Sequence, residues 1–361
     1  MKKHIFILFI GFIVVSCSKN NQEVATNSVQ NTPSETFIRG ADVSFLPLIE
    51  SEGTIYKKNG IAENALITLK NAGCNTVRIR LWCNPIYLHS GLAEVKALCI
   101  RAQQLGLKIW LAVHYSDTWA DPANQIKPVA WQNLSFQDLK TASINYTNLI
   151  LSQIQPDIFQ VGNETNDGML WPEGNLTSNQ NQYLQLLQGI TSTIRSQSPN
   201  TKIMIHYAGI GFDAVTYFNK LSVINYDYIG LSYYPIWHGK ILSDVTSTIN
   251  SLSQTFNKKV VIAETSYPFT LTWNDYTNNV IGLNNQLIPT FAATPEGQKN
   301  FLLAIKSLVK QTSNGIGFCY WGGEWIAFRG PLSTNGSSWE NQSLWDFSNN
   351  ALPVLDAFGA N

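Results

Sequence analysis

The chain has 361 residues with 24 basic and 24 acidic side chains, so its formal net charge at pH 7 is zero. This balance excludes the electropositive surface that holds a nucleic-acid backbone, and we expect no nucleic-acid partner. Aromatic residues are abundant instead, with 11 Trp and 14 Tyr, and most of the Trp fall in predicted loops. Because flat rings pack against the C–H faces of sugars, this composition favours an aromatic-lined cleft.

The first segment is typical of an export signal. Two lysines precede an apolar stretch at 5–15, and these eleven residues are too few to span a bilayer. The stretch ends in VVSC at 14–17, which resembles a bacterial lipobox, so we predict a signal peptide at 1–16 and a lipidated Cys17. Ordinary cleavage and an uncleaved anchor are the alternatives. Lipidation predicts a location on the bacterial cell envelope, anchored to the outer membrane at its surface or periplasmic face.

Residues 17–36 are rich in Asn, Ser, Thr and Gln and contain few apolar side chains. They cannot bury enough surface to fold, so we predict a disordered tether. The remainder, 37–361, has the length of a single α/β barrel domain. Four cysteines follow the lipobox: Cys74, Cys83, Cys99 and Cys319. A domain of this size needs no disulfides, so buried free thiols are expected and any pairing is left open.

From residue 37, short apolar segments alternate with amphipathic ones. Strands are predicted at 37–44, 76–81, 108–114, 158–161, 202–206, 228–232, 259–263 and 315–320. Helices are predicted at 63–71, 92–105, 136–153, 180–196, 214–221, 243–256 and 295–313. Eight apolar strands separated by helices predict an α/β fold of the (β/α)8 TIM barrel class. A doubly wound open sheet is the alternative, but no Gly-x-Gly-x-x-Gly sequence follows the first strand.

Polar and aromatic side chains follow nearly every predicted strand. They are Asp42, Ser44, Arg80, Trp82, His114, Asp117, Asn163, Glu164, His206, Tyr233, Tyr234, Glu264 and Trp321. Each of them alone could be structural. In a (β/α)8 barrel, however, the carboxyl ends of all strands surround one mouth, where active sites lie. We therefore predict that these residues converge on one substrate-binding site.

Two glutamates, Glu164 and Glu264, each end an apolar run. Two carboxyls about 5 to 5.5 Å apart are what retaining hydrolysis of a glycosidic bond requires. We assign Glu164 as acid/base, with a pKa raised by burial and by its anionic neighbour. We assign Glu264 as nucleophile, kept ionised by donors such as Arg80 and a tyrosine hydroxyl. Asn163 is placed to bind the sugar 2-hydroxyl, an interaction that strengthens in the transition state.

Four more acidic residues lie in predicted mouth loops: Asp117, Asp121, Glu173 and Glu324. None of them directly ends a strand after an apolar run. Each is interpreted as a substrate contact or a loop-ordering group, and a solvated loop charge is the alternative.

Longer strings narrow the interpretation. They are HYSDTWADP at 114–122, QVGNE at 160–164 followed by GMLWP at 168–172, and LSYYPIWHG at 231–239. Together they resemble glycoside hydrolase family 53, the endo-β-1,4-galactanases, and the match runs from about residue 40 to about residue 358. TND at 165–167 and GGE at 322–324 depart from the commoner family strings, which leaves subsite details and product length open.

The resemblance implies an endo-acting, retaining enzyme for the β-1,4-galactan side chains of type I arabinogalactan or pectin. Glu164 would be its acid/base and Glu264 its nucleophile, and the chemistry would need no cofactor. The cleft would follow the bend of the galactan chain, with sugar subsites at Trp82, Trp119, Trp237 and Trp321. We expect a monomer that meets the membrane only through its lipid anchor.

Bacterial members of the family that the chain resembles can carry a structural calcium ion that joins the loops after strands seven and eight. Ser343 and Asp346 fit one side of such a site, and Asp275 with its Asn neighbours fits the other. Calcium favours six to eight oxygen ligands with several carboxylates. The segment 274–279 offers only one carboxylate, that of Asp275. A turn capped by Asp or Asn is the alternative.

Two other functions compete with galactan hydrolysis. The first is another retaining endo-glycanase of the same clan, acting on mannan, xylan or β-glucan, against which the string at 114–122 argues. The second is a surface glycan-binding lipoprotein with an inactive barrel, against which the presence of both glutamates argues.

Overall fold

Eight parallel strands close into a barrel in the computed structural model, which describes residues 1, 36–87 and 89–359. The strands are β1 (Ile38–Asp42), β2 (Thr76–Leu81), β3 (Lys108–Val113), β4 (Ile158–Val161), β5 (Lys202–Ala208), β6 (Tyr228–Ser232), β7 (Lys259–Thr265) and β8 (Gly315–Tyr320). Neighbours in the chain are neighbours in the barrel, and β8 pairs with β1. The predicted α/β (β/α)8 barrel is confirmed. The predicted signal peptide, Cys17 and the tether up to residue 35 lie outside the described residues.

Nine α-helices occur in the described part of the chain. They are α1 (Leu46–Ser51), α2 (Ala65–Ala72), α3 (Leu92–Gln104), α4 (Phe136–Gln153), α5 (Gln180–Gln197), α6 (Phe212–Lys220), α7 (Pro235–His238), α8 (Leu242–Phe256) and α9 (Pro295–Lys310). Short 3-10 helices are found at Val129–Trp131, Asn284–Gln286, Glu340–Gln342 and Pro353–Phe358. None of the helices in the described ranges is long and apolar enough to cross a membrane.

All seven predicted helices are present, with ends that differ by a few residues. Two short helices, α1 and α7, and a hairpin between Lys57–Lys58 and Ile61–Ala62 were not predicted. They are too short to show a helical or alternating pattern in the sequence. Chain reversal at the end of α2 depends on Gly73, whose φ is +106° and where a Cβ would lie 2.6 Å from the carbonyl oxygen of Phe358.

The C-terminal ends of the strands position the side chains of the site. The ends of β1 and β7 differ from their predicted bounds by two residues each. β1 ends early because Asp42 Oδ1 accepts a hydrogen bond from the Ser44 amide at 2.9 Å, which starts a turn. β7 extends two residues beyond the prediction because its pairing with β6 continues past a register shift, so that Glu264 lies opposite Ser232. Glu264 is therefore part of a barrel strand, where the backbone ladder fixes its position.

Apolar side chains form two layers, one inside the barrel and one between the barrel and its helices. Trp110, predicted to be core, is fully buried inside the barrel, and its Nε1 donates to Gln160 Oε1 at 3.1 Å. The interior is tightly filled, since a Cβ on Gly230 would lie 2.8 Å from Met204 Sδ. All four cysteines of the barrel domain are free, as expected, and three of them are buried.

Candidate active site

The turn after β4 sets the direction of Glu164. Gly162 has φ +73°, and a Cβ there would lie 2.5 Å from Thr165 Cγ2, so only glycine fits. Glu164 itself has φ +46°, in the left-handed region that non-glycine residues rarely adopt. Such a conformation costs about 1–3 kcal/mol and persists only when the surroundings enforce it. The enforcing contact follows directly: the Thr165 amide donates to the His206 carbonyl at 2.9 Å.

Glu164 and Glu264 face each other across the mouth of the barrel. An oxygen of each carboxylate lies within 4.8 Å of one from the other. Retaining glycosidases hold their two carboxyls about 5–5.5 Å apart, whereas inverting enzymes need roughly 6.5–9.5 Å to admit a water molecule. The spacing is therefore that of a retaining pair.

Arg78 of β2, rather than Arg80, contacts Glu264. Its Nη2 lies 2.8 Å from Glu264 Oε1, and its Nη1 lies 2.8 Å from Asp42 Oδ2. Arg80 is one step nearer the mouth, where its guanidinium lies 4.2 Å from the ring centre of Trp119 and also over Phe45 and Trp82. The prediction that Arg80 holds Glu264 was wrong, because the aromatic rings hold Arg80 away from the carboxylate.

The two carboxylates have different surroundings. Burial, followed by the charge of Glu264, raises the pKa of Glu164 to about 8, and the Ser232 hydroxyl opposes this rise. Burial also raises the pKa of Glu264, but the charge of Arg78 and a hydrogen bond from the Tyr234 hydroxyl at 2.9 Å oppose it. A full positive charge thus favours the anion at Glu264, while Glu164 faces a neutral hydroxyl. This difference is what an acid and a nucleophile require.

Asn163 links the pair. Its Oδ1 accepts a hydrogen bond from Arg78 Nη2 at 2.8 Å, and its Nδ2 donates to the Ala120 carbonyl at 2.9 Å. An amide nitrogen carries two protons, so one of them is left for a ligand. The predicted contact with the sugar 2-hydroxyl is therefore stereochemically available.

Two cavities open at this mouth. The catalytic cavity, of about 300 Å³, contains both carboxylates and is lined by Trp119, Ala120, Asp121, Asn163, Tyr234, Trp237, Trp321, Trp325 and Trp339. A larger cleft, of about 800 Å³, is lined by Ser44, Phe45, Arg80, Trp82, Tyr87, Trp119 and neighbouring residues. Trp119 belongs to both. All four predicted tryptophan subsites, together with Arg80, Asn163 and Tyr234, thus line one or both cavities.

Several residues predicted to bind substrate support the site instead. Asp42 is buried, and its two oxygens are used by Arg78 and by the Ser44 amide. Asp117 accepts from the amides of Asn84 at 2.8 Å and Val129 at 2.9 Å. Neither residue is among those that line the two cavities. Asp42 thus holds Arg78, and Asp117 orders a loop, which is one of the interpretations offered for it, while a direct contact of either residue with substrate stays a prediction.

Three further predicted contacts lie behind the cavity walls. His114 is buried, and its Nδ1 accepts from the Ala120 amide at 3.1 Å. The buried hydroxyl of Tyr233 donates to the Gly239 carbonyl at 2.9 Å. His206 is fully buried and contacts Ser232 rather than the cavity. For these residues, the position at a strand end did not place the side chain in the mouth.

Sequence reasoning also missed residues that the structure brings to the site. Arg78 was overlooked because an arginine within a strand has no local signal that distinguishes it from Arg80. Trp325 and Trp339 come from the long loop after β8, and only the abundance of tryptophan hinted at them. Of the four acidic residues whose role the sequence left undecided, Asp121 lines the catalytic cavity.

Glu324 and Glu173, two more acidic residues whose role the sequence left undecided, order loops. Glu324 Oε1 accepts from the Phe45 amide at 2.7 Å. Glu173 forms an ion pair with Lys127 at 2.8 Å. Of the three interpretations offered for Glu324 and Glu173, these contacts support the loop-ordering one.

Ser343 and Asp346, predicted as calcium ligands on the β8 side, make hydrogen bonds within their own loop. Ser343 Oγ donates to the Gly323 carbonyl at 2.7 Å, and Asp346 Oδ1 caps a turn by accepting from the Ser348 and Asn350 amides. Glu340 is the acidic residue that faces Asp275: burial raises the pKa of Glu340, and the negative charge of Asp275 adds to this rise.

The pair of Asp275 and Glu340 fits a calcium ion. Asp275 Oδ2, Asn279 Oδ1 and Glu340 Oε2 are buried and have no hydrogen-bond partner within the described ranges. Among described residues, neither carboxylate has an ion pair. Buried like charges without a counterion are unfavourable, and calcium prefers such hard oxygen ligands. Asp275, Asn279 and Glu340 would hold the ion, which would tie the loop after β7 to the loop after β8.

The chain is similar to known proteins along almost all of the barrel. A model of glycosyl hydrolase family 53 matches residues 38–358. An arabinogalactan endo-β-1,4-galactanase of Cellvibrio japonicus is 36% identical, covering 93% of this chain and 93% of the relative. An endo-β-1,4-galactanase of Bacillus subtilis is 32% identical, covering 89% of this chain and 85% of the relative. The solved GH53 catalytic domain of Ignisphaera aggregans superposes with a TM-score of 0.85 at 33% identity, covering 91% of this chain and 97% of the other.

Replacing Arg78 by lysine tests the contact with Glu264. Lysine keeps the charge but has all its donors on one nitrogen, so it cannot span the partners that the two terminal guanidinium nitrogens reach, and we expect kcat to fall roughly 100-fold with the barrel still folded. The measurement is hydrolysis of galactan, the polymer for which the relatives are named, together with a circular dichroism melt. Arg101→Lys, which breaks a two-contact pair with Glu50 on the outside of the barrel, is the matched control and should keep its kcat. Full activity of Arg78→Lys would contradict the assignment.

Calcium should raise the melting temperature of the protein, since an ion bound only by the folded state stabilises it. We expect Glu340→Gln to lose this response and to be at least as stable as the natural chain in a chelator, because one of two facing carboxylates is removed. Asp346→Asn is the control, since its turn lies apart from the proposed ligands, and it should keep the calcium response. A natural chain whose melting temperature does not respond to calcium would exclude the site.

Proposed function

This chain belongs to glycosyl hydrolase family 53, and we propose that it is an endo-β-1,4-galactanase. Its substrate would be the β-1,4-galactan side chains of type I arabinogalactan and pectin, cleaved with retention of anomeric configuration. The observation that carries this proposal is the facing pair of Glu164 and Glu264, whose carboxylate oxygens lie within 4.8 Å in a cavity walled by tryptophan. The names and extents of the similar proteins favour galactan as the polymer.

The reaction follows from the two environments. Glu164 donates its proton to the glycosidic oxygen while Glu264 attacks the anomeric carbon, which breaks the bond to the leaving chain and forms a glycosyl ester. Glu164, now ionised, then takes a proton from water, the hydroxide attacks the same carbon, and Glu264 leaves. Arg78 and Tyr234 keep Glu264 anionic for the first step. Asn163 would bind the 2-hydroxyl as positive charge develops on the ring.

Tryptophan side chains would bind the sugars on either side of the cleaved bond. Trp321 and Trp119 are largely buried walls of the catalytic cavity, whereas the side chain of Trp237 is 55% exposed at its rim. Trp82 and Trp119 continue into the larger cleft. An endo-acting enzyme needs such an open series of platforms, because it holds a polymer on both sides of the bond that it cuts.

The envelope location and the oligomeric state are also proposals. Cys17 lies outside the described residues, so its lipidation and the anchoring to the bacterial outer membrane rest on the VVSC string. We propose that the enzyme acts as a monomer, because one chain supplies both carboxylates and the cavity that contains them. A tether of about twenty residues would let the barrel reach polymers near the membrane.

Galactan hydrolysis is tested with a reducing-sugar assay on potato galactan, mannan, xylan and β-glucan. We expect turnover of galactan, short oligosaccharides as the first products, and the β anomer first by proton NMR. Glu264→Ala should lower kcat by at least roughly 10⁴-fold with the fold intact, since the nucleophile is removed. Turnover of mannan in preference to galactan would favour the competing endo-glycanase, and binding of galactan without any product would favour a glycan-binding protein.

The pH profile of kcat/KM should have an alkaline limb near pH 8, the pKa to which burial and Glu264 raise Glu164. Glu164 must be protonated to act as acid, so activity falls as the pH rises through this value. Glu264 must be ionised, so activity also falls at low pH. The measurement is kcat/KM on galactan from pH 4 to pH 10. Activity that declines already near pH 5 would show that Glu164 is not held protonated.

A further inference from the structure

We propose that Ser232 and His206 form a hydrogen-bond relay that determines which oxygen of Glu164 carries the transferable proton. Ser232 ends β6, and its Oγ lies 2.5 Å from Glu164 Oε1 and 2.9 Å from His206 Nε2. Both relay residues are fully buried, so water does not compete for these contacts. The inference rests on the proposed role of Glu164 as acid/base, and it makes Ser232 and His206 positioning residues.

The donor and acceptor roles in the relay depend on the orientation of the Gln160 side-chain amide, which its contacts fix. Its Oε1 accepts from Arg78 Nε and Trp110 Nε1, both at 3.1 Å, and both of these groups can only donate. Its Nε2 donates to the Gly162 carbonyl at 3.0 Å. The side that faces His206 Nδ1 at 3.1 Å is therefore the NH₂ group.

The tautomer of His206 follows from what surrounds its Nδ1. Two groups that face this atom are donors: the Glu164 backbone N–H at 3.4 Å and the Gln160 NH₂ group, whose two protons are shared among His206 Nδ1, the Gly162 carbonyl and Asn163 Oδ1. The one acceptor nearby, Asn163 Oδ1, already accepts from Arg78 Nη2 at 2.8 Å and faces the Gln160 NH₂ group at 3.0 Å. Burial and the charge of Arg78 lower the pKa of His206 well below its ordinary value, so the ring carries a single proton. That proton belongs on Nε2.

The Ser232 hydroxyl has one proton to donate. The tautomer of His206 therefore determines whether that proton is donated to Glu164. His206 Nε2–H donates to Ser232 Oγ, which leaves the proton of Ser232 to be donated to Glu164 Oε1. Oε1 is then an acceptor in both ionisation states of the carboxyl group. The acidic proton resides on Oε2, the oxygen to which no described residue donates a hydrogen bond.

This arrangement serves both halves of the proposed reaction. In the first half, the proton of Glu164 is on the oxygen that is free to face the glycosidic bond. In the second half, the ionised carboxylate keeps a charge-assisted hydrogen bond from Ser232, which opposes the effect of burial. The left-handed turn at Glu164 has a related function, because it brings the Glu164 N–H to the same imidazole.

Ser232→Ala tests the relay directly. Loss of a hydrogen bond to the carboxylate should raise the pKa of Glu164 by about one unit, measured by carbon-13 NMR of carboxyl-labelled glutamate and assigned with Glu164→Gln. The variant leaves in place the other charged or titratable groups that face Glu164: Glu264, Arg78, Asp121, Tyr234 and His206. Ser143→Ala removes a buried helix hydroxyl far from the site, whose partner is the Lys140 carbonyl, and should leave the pKa unchanged.

Nitrogen-15 NMR of histidine in the natural chain supplies an independent test. The relay requires the neutral Nε2–H tautomer of His206, assigned with His206→Gln. A proton on Nδ1, or an unchanged Glu164 pKa in Ser232→Ala, would overturn the proposal. Neither measurement needs a substrate, so they decide the relay even if galactan hydrolysis is not observed.

Kinetics separate positioning of the acid from damage to the site. On galactan, whose leaving group needs protonation, Ser232→Ala should lower kcat/KM roughly tenfold and shift the alkaline limb to higher pH. On an aryl β-galactobioside with an activated leaving group, which needs no acid, kcat/KM should change less than twofold. Equal losses on both substrates would mean that Ser232 supports the fold of the cavity and would contradict the relay.

Discussion

Arg78 brings a full positive charge beneath the catalytic cavity, where its guanidinium meets Asp42, Asn163 and Glu264 at 2.8 Å each. A buried ion costs several kcal/mol of desolvation, which only close partners of opposite charge repay. The repulsion between a buried Asp42 and Glu264 is offset by the same group. Removing Arg78 would leave two buried carboxylates without their counterion, at a cost of roughly 3–5 kcal/mol. The site is therefore assembled as a unit, and the nucleophile is one of its structural members.

The asymmetry of the two glutamates follows from this contact. Arg78 bonds Glu264 directly, so the anion is favoured there even though burial acts on both carboxyls. The negative charge that results then raises the pKa of Glu164, which has only a hydroxyl donor of its own. One arginine thus separates an acid from a nucleophile by position rather than by residue type, and the catalytic pair can consist of two identical side chains.

Periodic features could be predicted from the sequence, and contacts made at a distance could not. Four strands match their predicted bounds and the barrel is as expected, because alternating apolar segments constrain each strand locally. Both glutamates were found because they directly end such segments. The choice between Arg78 and Arg80 was beyond reach, since both face the same way from one strand and only the aromatic rings around Arg80 separate their roles. Glu340 was missed as a candidate calcium ligand because its loop has no repeating pattern.

The long loops after β7 and β8, whose structure the sequence did not predict, contribute to the catalytic cavity. Trp339 precedes Glu340 in the chain, and its ring lies 4.4 Å from that of Trp321 and 5.4 Å from that of Tyr234. Tyr234 in turn donates its hydroxyl proton to Glu264. An ion held by Asp275 and Glu340 would therefore hold in place the loop that presents Trp339 to the catalytic cavity. The barrel strands position the charges, and the long loops after β7 and β8 build the wall that keeps water from weakening them.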